Sequence, residues 1–180
     1  HAAQARRDLG IRTAFNLLGP LTNPAGSTRQ LVGVSRPELT ELMANALRLL
    51  GSTRAWVVHG SDGLDEISTI GYTKIAEYKD GSVQTFYIHP SEFGIPQSMP
   101  GDCSGGDAKV NAEIILRLLQ GKKGPARNVV LLNAGAALLV AGASKSVREG
   151  IERAEQAIDS GEAHSTLKQM IQISHEAELK

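Results

Sequence analysis

A single cysteine, Cys103, stands in this chain of 180 residues. One thiol excludes an intrachain disulfide and a multi-cysteine zinc site, and it fits a reducing compartment, the cytoplasm. Charge of one sign is also lacking in excess: 19 basic residues balance 19 acidic ones. Nothing global therefore draws the chain to nucleic acid or to anionic lipid, and any anionic ligand has to be held by a local cluster. No apolar run is long enough to cross a bilayer, so no membrane partner is expected. The histidines, His1, His59, His89, His164 and His175, lack metal-ligand spacing, which argues against zinc. There is no Gly-x-Gly-x-x-Gly, Walker loop or Gly-x-Ser-x-Gly elbow, hence no dinucleotide site, P-loop or serine nucleophile to argue for. A signal peptide is not expected, and a start at His1-Ala2-Ala3-Gln4 without methionine reads as a piece of a longer protein.

What is present is a globular composition, 41% hydrophobic and 21% charged, with length for one domain and a real core. The spacing predicts a helix over 2–18 that stops at Gly19-Pro20, then an ordered loop through Asn23-Pro24. A short strand over 30–34 follows. Ser35-Arg36-Pro37-Glu38 reads as a capping box that starts a helix near Arg36, with Leu39, Leu42, Met43, Ala46, Leu47 and Leu50 facing a sheet and Gly51 ending it. With a second strand over 54–59, this makes a right-handed crossover between parallel strands. Runs at 73–78 and 83–88 flank Lys79-Asp80-Gly81-Ser82, a hairpin signal.

Residues 89–106 read as an irregular connection with Phe93, Ile95 and Met99 as apolar anchors. Asp107 is placed to cap a helix with the apolar face Val110, Ile114, Ile115, Leu118 and Leu119, closed by Gly121. A helix over 126–141 is apolar almost all round, so it is expected to be buried on several sides, its small residues allowing close backbone approach. Ser146-Val147-Arg148-Glu149 caps a charged helix that ends at Ser160-Gly161, and a last helix covers 162–174. The fold class is α/β: a mostly parallel sheet with an antiparallel hairpin and flanking helices.

The chemistry centres on His59-Gly60-Ser61-Asp62-Gly63-Leu64-Asp65-Glu66, directly after the apolar run Ala55-Trp56-Val57-Val58. Hard oxygen donors on a turn at a strand's carboxyl end suit Mg²⁺, which takes one or two carboxylates and leaves its other positions to water and phosphate. The same residues also read as a plain Asp-Gly turn with solvated charges. Arg6 and Arg7, followed by Arg12, could fork onto a carboxylate or simply form a solvated helix face. Gly19 to Pro24 is either a helix stop or a rigid wall for a flat ligand. Asp107 could be a third metal ligand, but its role as a cap already explains it.

Two stretches, Arg6-Arg7-Asp8-Leu9-Gly10-Ile11-Arg12-Thr13-Ala14-Phe15-Asn16-Leu17-Leu18-Gly19-Pro20-Leu21-Thr22-Asn23-Pro24 and Gly63-Leu64-Asp65-Glu66-Ile67-Ser68, closely resemble the anthranilate phosphoribosyltransferases. Similarity extends to Gly105-Gly106-Asp107-Ala108 and Leu132-Asn133-Ala134-Gly135-Ala136-Ala137. The resemblance implies the carboxyl-terminal part of a nucleoside phosphorylase/phosphoribosyltransferase-like α/β domain. The implied reaction joins the amino nitrogen of anthranilate to C1 of phosphoribosyl pyrophosphate in tryptophan biosynthesis. It further implies that Asp65 and Glu66 bind Mg²⁺ on the pyrophosphate, that Arg6 contacts anthranilate, and that the Gly19-Pro20 region lines that acid's route of entry. No catalytic base is implied. The family's Gly-Thr-Gly-Gly-Asp turn and Lys-His-Gly-Asn-Arg stretch do not occur here, nor does the N-terminal helical domain that joins its homodimer. Residues 1–180 are therefore expected to form one incomplete α/β domain, inactive alone. Alternatives are a pyrimidine nucleoside phosphorylase, against which residues 6–24 argue, and a non-catalytic binding module of the same fold.

Overall fold

Alternation along β2 explains how the sheet is filled on both sides. In the computed structural model, which describes residues 15–177, β1 (Arg29–Gly33), β2 (Arg54–Gly60), β3 (Thr73–Lys79) and β4 (Ser82–Ile88) form one sheet in that order. β1 and β2 are parallel; β2–β3 and β3–β4 are antiparallel. Ala55 and Val57 point to one core, with Val32, Leu39, Met43 and Leu47, while Trp56 and Val58 point to the other, with Ile75, Leu132, Ala136 and Ile151. A strand buried on both faces has no polar face to show, hence the unbroken apolar run. The helical connection between the parallel strands and the hairpin stand as the sequence predicts, but the sheet is mixed and not mostly parallel, because β3 pairs antiparallel to β2 and the hairpin adds a second antiparallel pair. At the hairpin tip Asp80 (φ 50°) and Gly81 (φ 86°) both lie in the left-handed region that a two-residue type I′ turn demands.

The crossover helix, α2 (Leu39–Leu49), follows α1 (Phe15–Leu21) and differs from its expected form in two ways. It starts three residues after Arg36, because residues 36–40 first make two tight turns, Leu39 N–H to Arg36 C=O and Thr40 N–H to Pro37 C=O; Glu38 gives no side-chain cap. Its buried face is also rotated, to Leu39, Thr40, Met43, Ala44 and Leu47, leaving Leu42 and Leu50 exposed. Thr40 can be buried because its hydroxyl proton has two acceptors within 2.8 Å, Pro37 C=O and the Glu41 carboxylate. Gly51 does end the helix, in a Schellman turn with Ser52 N–H on Leu47 C=O and Gly51 N–H on Arg48 C=O. α1 runs through Gly19 and Pro20 instead of stopping there; Thr22 closes it by donating its hydroxyl to Leu18 C=O (2.9 Å).

Glu41 ties α2 to the hairpin, accepting from Lys74 Nζ (3.0 Å) and from the Thr85 hydroxyl (2.9 Å). Partial burial works to raise its pKa, but the bonds from Lys74, Thr40 and Thr85 prevail and lower it from 4.5 to about 2. A depressed carboxylate contributes stability that is complete above its unfolded pKa and fades as pH falls through the folded one. Thermal unfolding followed from pH 5 to pH 2 should therefore show a loss of melting temperature that Glu41→Gln blunts. Parallel curves for both proteins would mean that Glu41 carries none of the acid sensitivity.

A short 3₁₀ turn, Pro90–Phe93, interrupts the irregular connection, in which Ile95 is a buried anchor and Met99 is not, being 70% exposed. Asp107 caps α3 (Ala108–Leu119), its carboxylate accepting from Val110 N–H (2.9 Å). Only Leu118 of the expected α3 face is buried; Val110 and Ile115 are exposed. α4 (Pro125–Ala141) packs across the sheet and against α5 (Val147–Asp159), with α6 (Glu162–Ala177) last. Arg127, 2% exposed, staples α4 to the end of α5 through Asp159 (2.7 Å) and Glu155 (3.2 Å). Arg29 and Arg54, at the starts of β1 and β2, donate to the Ala141 and Leu139 carbonyls (2.6 and 2.8 Å). These cations suit the negative end of α4's dipole and set the helix antiparallel to the two strands, which brings residues 129–134 to the strands' carboxyl edge.

Candidate active site

β2 ends at Gly60, and residues 61–72 form a loop at the carboxyl edge of the parallel pair. Local bonds shape it: Gly60 N–H donates to Leu64 C=O, Gly63 N–H to Gly60 C=O and Ser61 N–H to Tyr72 C=O, with Gly63 at φ 89°. Asp62 is spent on the loop itself, accepting from the Ser68 hydroxyl (2.9 Å), whose oxygen in turn receives Ile70 N–H (2.9 Å). Asp65 and Glu66 are exposed and, among the described residues, neither forms an ion pair. Two consecutive residues thus present exposed carboxylates that no ion pair among the described residues engages.

The backbone beneath them is fixed from two sides. Gly33, the last residue of β1, touches the Asp65 carbonyl so closely that a Cβ there would coincide with it. Ile67, wholly buried, donates its N–H to Asn133 Oδ1 and accepts at its C=O from Asn133 Nδ2, both at 2.9 Å. Next to β1, His59 Nδ1 donates to Val34 C=O (2.8 Å). A cleft of about 380 Å³ opens between Gly33, Asp65, Glu66, Val130 and Asn133. Nearby, partial burial raises the pKa of the Cys103 thiol, and so do the charges of Asp102, Asp62 and Glu66, which disfavours the thiolate.

No three His, Cys, Asp or Glu side chains among the described residues are grouped closely enough to enclose a metal. The donor set instead fits a hard cation that takes most of its ligands from elsewhere: two solvent-exposed carboxylate groups with no ion pair among the described residues. Asp107 is engaged as the α3 cap, as expected. Arg6, Arg7 and Arg12 lie outside the described residues. Asn133 and Gly33 are the site residues that motif reading does not single out for a role; Asn133 is signalled only by its place in the stretch 132–137 that carries the resemblance and by being an amide among apolar neighbours.

The fold is an open α/β sheet with an acidic loop at the carboxyl edge of its parallel pair, and by sequence the chain is a member of the glycosyl transferase family, whose a/b domain matches residues 1–164. Within that family it is similar to the anthranilate phosphoribosyltransferase of Paramagnetospirillum magneticum, 51% identical over 175 residues, which are 97% of this chain and 51% of that protein. The anthranilate phosphoribosyltransferase of Thermus thermophilus superposes with a TM-score of 0.84 at 40% identity, over 93% of this chain and 49% of that one. The Saccharomyces cerevisiae enzyme in complex with phosphoribosyl pyrophosphate and Mg gives a TM-score of 0.83 at 33% identity, over 93% of this chain and 49% of that one. The same yeast enzyme in complex with 4-fluoroanthranilate gives 0.85 at 32% identity, over 96% and 50%. The chain spans about half the length of the relatives it matches. Among the described residues no helix is long and apolar enough to cross a membrane.

Proposed function

We propose that this chain is the carboxyl-terminal half of a Mg²⁺-dependent anthranilate phosphoribosyltransferase of tryptophan biosynthesis. The complete enzyme is a cytoplasmic homodimer joined through N-terminal helices, and residues 1–180 form an incomplete α/β domain without activity of their own. One observation carries the reading: Asp65 and Glu66 stand exposed at the carboxyl edge of β1 and β2, with no ion pair among the described residues, in a chain similar to an enzyme solved with phosphoribosyl pyrophosphate and Mg.

In this reading Asp65 and Glu66 hold the Mg²⁺ that accompanies the pyrophosphate. A cation held there would supply positive charge against the departing pyrophosphate. Gly33 and the Ile67 anchor fix the backbone that carries the two carboxylates, which limits the reorganisation needed as the bond to C1 breaks. Arg6 contacts anthranilate, a guanidinium being able to pair with a carboxylate through two parallel hydrogen bonds. The amine nitrogen forms the new bond to C1, the C1–oxygen bond breaks toward pyrophosphate, and the amine proton leaves to solvent. Because the nucleophile is already an amine and the leaving group is stabilised, positioning and electrostatics suffice and no protein base is assigned.

Arg6→Ala in the complete enzyme is expected to raise the anthranilate KM on the order of tenfold, with the KM for phosphoribosyl pyrophosphate nearly unchanged. Steady-state rates from anthranilate fluorescence decide it. An unchanged anthranilate KM removes Arg6 from the site.

A further inference from the structure

We infer that Asn133 is a positioning residue for the acidic pair: its amide holds the Ile67 backbone and thereby sets where Asp65 and Glu66 stand. The inference rests on the metal reading of that pair and adds a residue to it. Asn133 Oδ1 accepts from Ile67 N–H and Nδ2 donates to Ile67 C=O, each at 2.9 Å, so one side chain satisfies both backbone groups of one residue as a neighbouring strand would. Nδ2 also donates to Val129 C=O (3.0 Å) in its own helix, which fixes the orientation of the amide. The Ile67 side chain is wholly buried in the core between sheet and helices, so the residue directly after Glu66 is held by both its side chain and its backbone.

On the other side, Gly33 meets the Asp65 carbonyl. The two acidic residues are therefore held between two fixed backbone points, one on β1 and one set by α4. Asn133 also borders the cleft into which the pair opens. Partners that orient a metal's ligands, without touching the metal, typically change metal affinity by about 10- to 100-fold when removed.

Two measurements on the complete enzyme test this. In the metal-free protein, Asn133→Ala is expected to speed hydrogen exchange of the Ile67 amide and of residues 62–70 by about tenfold or more, leaving the β3–β4 hairpin unchanged. In the assay it is expected to raise the half-saturating Mg²⁺ concentration by about tenfold, with the rate recovering at high Mg²⁺ and the anthranilate KM unmoved. Should Asn133→Ala fold poorly, Asn133→Asp keeps the side-chain shape and the acceptor for Ile67 N–H but opposes an oxygen to Ile67 C=O. Added charge alone would lower its Mg²⁺ requirement; the positioning role predicts a rise.

Unchanged exchange at Ile67 overturns the inference, as does an unchanged or lowered Mg²⁺ requirement while Asp65→Asn raises it. If Asp65→Asn and Glu66→Gln also leave the requirement unchanged, the metal reading falls and takes the role of Asn133 with it. That outcome is recognised by the acidic variants alone.

Discussion

Asp65→Ala and Glu66→Ala in the complete enzyme are each expected to lower kcat/KM for phosphoribosyl pyrophosphate on the order of 100-fold and to raise the Mg²⁺ needed for half-maximal rate. The effect should be separable from folding, because both carboxylates are exposed and neither is an ion-pair partner among the described residues. Exposed substitutions of that kind stay within about 0.5 kcal/mol of the parent in stability. Asp62 is the internal contrast. Its carboxylate accepts from the Ser68 hydroxyl and braces the loop, so Asp62→Ala should cost stability, with a smaller change in Mg²⁺ dependence. Kinetics at varied Mg²⁺, read beside melting curves, sort the three variants. Mg²⁺ dependence unchanged in both the Asp65 and Glu66 proteins would refute their role.

Gly135→Ala and Gly150→Ala are each expected to lose about 2–4 kcal/mol of stability, although helix propensity alone predicts a gain of about 1 kcal/mol. α4 and α5 cross at this pair. A Cβ on Gly135 would lie 2.7 Å from Ile151 Cγ1, 2.8 Å from Ile151 N and 2.9 Å from Val147 O. A Cβ on Gly150 would meet the Gly135 backbone itself, at 2.8 Å from its Cα. Two of the three atoms around Gly135 are backbone, so relief requires the helices to part, which loosens Ile151, Leu132 and Ala136 together. The double variant should cost less than the sum, since one separation accommodates both methyl groups. Urea unfolding measures each term; stabilisation by either alanine would show that the crossing is not limiting.

Features fixed by short-range backbone geometry are legible in the sequence. Asp80-Gly81 specifies a tight hairpin because both positions need positive φ, and Gly51 and Gly121 mark helix ends for the same reason. The run 55–58 identifies a strand because burial on both faces leaves no other pattern. Periodicity misreads the face of α2 where a polar residue is buried: Thr40 satisfies its hydroxyl locally and takes a place that apolar spacing gives to Leu42. It misreads the α3 face for the opposite reason, since apolar spacing reports what a helix can bury and not whether anything packs on it.

In the site, the acidic pair is visible as a motif because its residues are consecutive. Its supports are not, because they are distant in the chain: Asn133 reaches across 66 residues to Ile67, and Gly33 meets Asp65 only once β1 and β2 are paired. No local pattern encodes such contacts. The amide of Asn133 amid alanine and leucine is one hint that helix α4 does more than fill the core.

The most direct test of the account is the loss of anthranilate fluorescence in the complete enzyme when phosphoribosyl pyrophosphate and Mg²⁺ are supplied, with pyrophosphate measured in parallel. One pyrophosphate should be released per anthranilate consumed, in a reaction abolished by chelation of Mg²⁺ and absent when residues 1–180 are supplied alone. Phosphorolysis of a pyrimidine nucleoside by the same protein, with anthranilate left untouched, would contradict it.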